Sequence, residues 1–228
     1  MRGVFVCGTD TGAGKTVVAG AVVAGLRAAG RRVAAYKPVV TGLDEPPAPG
    51  WPRDHELLAA AAGTRAAAVT PHRFGPPVSP HLAAELAGVE LDFEAMVLAA
   101  GAAAAEAGAD VLVVEGVGGL LVPLTAEKTV RDLAAALGFP LLVAARPGLG
   151  TISHTLLTLE AARTAALHVP AVVMTPWPEA PSPMEASNRA TVARLGAVDV
   201  AGLPRLPDGG PASLAAGGAA LPLARWLG

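Results

Sequence analysis

Runs of Val, Leu and Ala with little polar alternation recur at 3–7, 32–36, 110–114, 140–145, 169–174 and 198–203. A strand that is apolar on both faces belongs in a parallel sheet covered by helices on either side. Between these runs lie alanine-rich segments with helical character, near 15–29, 54–62, 92–107, 129–137, 151–167 and 185–195. The alternation predicts βα units and an α/β fold: a doubly wound, mostly parallel sheet with helices on both faces. No linker or internal repeat divides the 228 residues, so one domain spanning 1–228 is expected.

Three stretches break the pattern. Residues 38–53 hold four prolines besides Pro38 and cannot be a regular element, and a loop this long in a compact domain is usually functional or mobile. Residues 175–184 form a second proline-rich loop, and the Pro/Gly/Ala-rich 207–222 is expected to carry only short helical turns. In open α/β sheets ligands lie beyond the carboxyl ends of the strands, so the residues that follow each apolar run are the ones to inspect.

The first run ends at Cys7, and Lys15-Thr16 open the first helical segment after a glycine-rich turn. Strand, glycine turn, Lys-Thr and helix in that order suit a bound phosphate chain. Glycines 12 and 14 let the backbone approach closely, and N–H groups at the helix start point donors at the anion. Lys15 would reach the β- and γ-phosphates and the Thr16 hydroxyl would face Mg²⁺. Glycine spacing is irregular, because Thr9 stands where the strict phosphate-loop pattern has its first glycine.

Glu115 ends the third run, where a carboxylate would bind Mg²⁺ beside the phosphates; Gly116, Gly118 and Gly119 follow at once. Asp54 opens the helix DHELLAAAA and is either a second metal ligand or an acid favoured by the helix dipole. Lys37 follows the second run, and Pro38 fixes an extended backbone there. Two lysines flanking a transferred phosphoryl group would stabilise the charge that spreads over its oxygens. The five histidines follow no metal-binding pattern; His81 and His154 neighbour helix starts and are the ones to watch.

Composition removes other classes. A net charge of −2 argues against nucleic acid as a partner, and 4% aromatics leaves few stacking platforms for bases. One cysteine forms no internal disulfide, and Cys7 reads as a small hydrophobe in a strand. Uncharged runs at 95–105 and 133–145 are too short to span a bilayer, and no basic segment with a cleavage site precedes the first strand, so the cytoplasm is the expected compartment and no membrane partner is expected.

GTDTGAGKT, YKPVVTG, Asp54 after the proline-rich loop, Ser79-Pro80-His81, VEGVGG around Glu115, and LGTISHTLLTLEA at 149–161 resemble the ATP-dependent dethiobiotin synthetase family in order and spacing, over nearly the whole chain up to about residue 207. The resemblance implies a P-loop NTPase-type fold and a Mg²⁺- and ATP-dependent ring closure. In it 7,8-diaminopelargonic acid takes up CO₂ as a carbamate, ATP activates the carbamate, and the neighbouring amine closes the ureido ring. It implies that Gly12, Ala13, Gly14, Lys15, Thr16 and Val17 hold the phosphates, and that Thr16, Asp54 and Glu115 bind metal, with Gly116, Val117 and Gly118 beside them. Lys37 takes the catalytic lysine's place, with Lys15 and Thr11 near the carbamate and γ-phosphate. Thr41 matches a hydroxyl residue that touches the substrate. Gly150, Thr151 and Ser153 match a segment that holds the substrate's carboxylate tail across a homodimer interface.

The departures fall on the base and the tail. Thr175, followed by Pro176, stands where many relatives have an asparagine that reads adenine, so a paired hydrogen-bond readout is lost. Pro204, Arg205 and Leu206 match a nucleotide-contacting segment, but the acid that many relatives carry shortly after it is absent near Pro211. Ser153 replaces a common asparagine. Two other readings stay open: a partition-type switch ATPase acting through protein partners, in which Asp10 would stand where an extra lysine belongs, and another amide-forming P-loop ligase, for whose glutamine-hydrolysing domain the chain has no room.

Overall fold

The computed structural model describes residues 2–227. The first half of the fold runs β1 (Arg2–Gly8), α1 (Lys15–Ala28), β2 (Val33–Tyr36), β3 (Val39–Val40), α2 (Asp54–Ala62), α3 (Ala66–Val69), β4 (His72–Arg73), α4 (Pro80–Leu86) and α5 (Phe93–Glu106). It continues through β5 (Val111–Gly119), α6 (Val130–Leu137), β6 (Leu141–Ala145), α7 (Thr151–Thr164), β7 (Ala171–Trp177), α8 (Pro183–Gly196), β8 (Asp199–Pro204), α9 (Pro211–Ala219) and α10 (Leu223–Leu227). Six strands form one parallel sheet in the order β2-β5-β1-β6-β7-β8, and β3 pairs with β4 in a small parallel ribbon beside it.

Strand periodicity divides the core in two. In β1, Val4 and Val6 face a layer built from α1, α2, α9 and α10, whereas Phe5 and Cys7 face one built from α4 to α8. Both faces are fully buried, which is why the strand sequences show no polar alternation. The chain leaves β1 toward β2, returns through β5 and then crosses to β6, so the carboxyl end of β1 lies where the winding reverses.

Four details differ from the sequence reading. β5 continues through Gly119, so Glu115 lies inside the strand: glycines carry no apolar side chain to prolong the pattern, yet Gly119 still registers with Gly8. β7 likewise runs to Trp177, which places Thr175 and Pro176 within it. The 207–222 stretch holds a nine-residue helix, α9, because its small residues allow close packing on α1. The ribbon of β3 and β4, two residues each, is too short for any periodicity to announce. Among the described residues no helix is long and apolar enough to cross a membrane.

Candidate active site

The turn from β1 into α1 is held from within. Asp10 Oδ1 accepts the Thr11 N–H at 2.7 Å, and Lys15 Nζ donates to the Asp10 carbonyl at 3.0 Å. Gly14 has φ 86° and packs so closely on Thr175 that a Cβ would collide with that side chain's methyl, so two reasons require glycine there.

Four side chains from four elements meet beside this turn. Glu115 Oε1 accepts a hydrogen bond from Thr16 Oγ1 at 2.9 Å and from Lys37 Nζ at 2.6 Å, while Lys37 Nζ also donates to Asp54 Oδ2 at 3.0 Å. Lys37 follows β2, which pairs directly with β5, so strand register brings the lysine to the glutamate. Asp54 arrives as the first residue of α2, where the Arg53 N–H is capped by Glu56. Lys37 and Glu115 are almost wholly buried, and the Asp54 carboxylate is half exposed toward the crevice.

Burial works against the Lys37 charge, but attraction to Asp54 and Glu115 and a hydrogen bond to each outweigh it, so its pKa is raised. The same ammonium lowers the pKa of Asp54. Desolvation raises that of Glu115 against the pull of Lys37, and burial lowers that of Lys15, which Glu115 opposes. Glu115 Oε2 is buried with no protein partner. Two carboxylates converging on one cation, with the Thr16 hydroxyl beside them and a further buried oxygen free, are an oxygen donor set that suits a hard divalent ion such as Mg²⁺.

A cavity of about 710 Å³ opens over this cluster. Thr11, Gly12, Gly14, Lys15, Thr16, Val17, Lys37, Thr41, Asp54, Val117 and Gly118 all line it, so half of the site residues singled out in the sequence share one space, while Glu115 is buried outside its walls. Ala13 is buried beneath the turn and Gly116 packs under Val130 and Phe5. Thr175 is buried against Gly14; Thr175, Pro176, Pro204, Arg205 and Leu206 lie outside the cavity walls. So do Gly150, Thr151 and Ser153 at the start of α7, as well as His81 and His154. Two residues carry structural weight that no sequence signal marked. Trp51 lines the cavity from the proline-rich loop, and the buried Asn188 on α8 donates through Nδ2 to the carbonyls of Pro147 at 2.9 Å and Gly148 at 3.2 Å, fixing the turn before α7.

A family model described as an AAA domain matches residues 2–213. A protein named ATP-dependent dethiobiotin synthetase BioD from Anaeromyxobacter dehalogenans is 48% identical over 197 residues, covering 86% of each chain. The chain belongs to the ATP-dependent dethiobiotin synthetase family. A family member from Haloferax mediterranei is 38% identical over 93% of this chain and 88% of its own, and one from Mycobacterium is 41% identical over 88% and 87%. Among solved structures, chloroplast FtsY from Physcomitrella patens superposes with a TM-score of 0.54 at 13% identity, covering 95% of this chain and 65% of that one, a likeness of fold alone.

Proposed function

We propose that this chain makes dethiobiotin from 7,8-diaminopelargonic acid, CO₂ and ATP; its relatives are named ATP-dependent dethiobiotin synthetases. The observation that carries the reading is the meeting of Lys37, Thr16 and Asp54 on one cavity wall beside Lys15, tied together by the buried Glu115. One substrate amine adds to CO₂ and loses a proton, giving a carbamate. A carbamate oxygen then takes the γ-phosphoryl group from ATP, releasing ADP, and the neighbouring amine attacks the carbonyl carbon; inorganic phosphate leaves and the ureido ring closes.

The chain's own residues hold anions together. Residues 12–17 seat the phosphates, and Lys15 and Lys37 place positive charge on two sides of a transferring phosphoryl group, where an anionic carbamate meets an anionic nucleotide. Thr11 stands beside them, and Thr41, on the wall of the same cavity, would offer its hydroxyl to the substrate. Thr16, Asp54 and Glu115 would hold Mg²⁺, which supplies charge neutralisation on the phosphate oxygens. Gly150, Thr151 and Ser153 would serve the substrate's carboxylate tail in a partner protomer's site, which makes the working unit a cytoplasmic homodimer.

Lys37→Ala should bind Mg²⁺-ATP within a few-fold of the wild type while ring closure falls on the order of a thousandfold. Near-normal turnover removes Lys37 from the chemistry. ATP hydrolysis that ignores diaminopelargonate and bicarbonate would defeat the reading as a whole.

A further inference from the structure

Trp51 stands in the proline-rich loop at a place fixed from two sides. On one side its N–H donates to the Ala48 carbonyl at 2.9 Å, and the chain then runs through Pro52 and the capped Arg53 straight into Asp54. Three residues span at most about 10 Å, so the tryptophan backbone stays within that reach of the acid facing the phosphate end of the cavity. On the other side the indole and Pro52 close over Gly209, in the segment between β8 and α9, where a Cβ would meet Trp51 Cε3 at 3.1 Å. The ring is half-buried on the apolar cluster that includes Val17 and Leu57, and it walls the same cavity as Gly14, Lys15 and Thr16.

A nucleoside triphosphate seated on 12–17 must lay its sugar and base along the carboxyl edge of the sheet. Toward β2 and β5 that edge is filled by Lys37, Glu115 and Thr41. Toward β7 and β8 it passes Thr175, which touches Gly14, and then the segment after Pro204, over which Trp51 lies. No side chain among 175–176 and 204–209 carries the paired amide donor and acceptor that read a base edge; an aromatic ring is what the loop over Gly209 offers. The other tryptophans are engaged elsewhere: Trp177 lies under Arg189, and the Trp226 indole donates to Asp199 at 2.7 Å.

Resting on the proposed nucleotide site, we infer that Trp51 is the nucleoside-contacting wall of that site, holding the sugar and base through its ring face and so without preference for one base. Contact of this kind is tolerant because every base has a π-face.

The test titrates ATP, CTP and inorganic tripolyphosphate, each with Mg²⁺, into wild type, Trp51→Ala and Trp51→Phe. The alanine variant should weaken ATP and CTP alike, by about 5- to 100-fold, with phenylalanine restoring most of the loss and tripolyphosphate bound equally by all three. ATP and CTP affinities in the alanine variant unchanged from wild type overturn the inference, and so does a parallel loss of tripolyphosphate, which would mean that the ring only props up the loop. A raised KM for the diamine with nucleotide affinity intact also overturns it, by assigning the ring to the other substrate. A wild-type chain that binds neither nucleotide nor tripolyphosphate would remove the nucleotide site itself, whereas tripolyphosphate binding with an indifferent alanine variant would remove the tryptophan's role alone.

Discussion

Under the proposed function, Thr175 is the side chain on which nucleotide selectivity would turn. It is buried, its methyl group is pressed against Gly14, and its single hydroxyl cannot give the matched donor and acceptor of an amide. One hydrogen bond contributes about 1 kcal/mol, so kcat/KM for ATP, CTP and GTP should agree within about tenfold; a strong preference for ATP in a turnover assay would contradict this. At this scale Lys15, Thr16, Lys37 and Glu115 were legible because each follows or interrupts an apolar run, where a charge needs a reason. Trp51 and Asn188 were not legible. Their roles come from Gly209 and from the Pro147 and Gly148 carbonyls, partners far along the chain that only the fold brings near.

The elements were read well where burial on both faces wrote itself into the sequence, and poorly where glycine or brevity erased the signal, as in the last residues of β5 and in the β3–β4 ribbon. Local chemistry fixes several boundaries. At the start of α6, Thr129 donates its N–H and hydroxyl to Asp132 Oδ2 at 2.7 and 2.6 Å, and the Asp132 N–H returns to the Thr129 hydroxyl. These bonds, the side-chain one foremost, hold the Asp132 carboxyl below its ordinary value of 3.8. A carboxyl depressed on folding stabilises fully above the unfolded value and loses that contribution as pH falls through the lower folded one. Asp132→Ala should therefore cost about 1 kcal/mol in urea unfolding at neutral pH, with the gap to wild type closing in the acid range below about pH 4. A gap that stays constant into acid would show that the charge-assisted cap is not what matters.

At the scale of the whole molecule, β1 lies between β5 and β6 with helices on both sides, and Cys7 is fully buried there. Burial pushes its thiol up to about 12, against the pull of Lys15. A thiol reacts as its thiolate, so native protein should resist iodoacetamide and label only at the rate of global opening. Labelling much faster than unfolding followed by circular dichroism would mean that the sheet's centre opens on its own. At the edge of the sheet, β2 delivers another cation, Lys37, to Glu115 of β5 and to Asp54. An ammonium tied to two carboxylates keeps its proton and has no lone pair to give, so under the proposed function Lys37 would steady a carboxylated nitrogen and not become one. On that reading, the nitrogen that captures carbon dioxide would come in from solution, on the molecule to be closed into a ring.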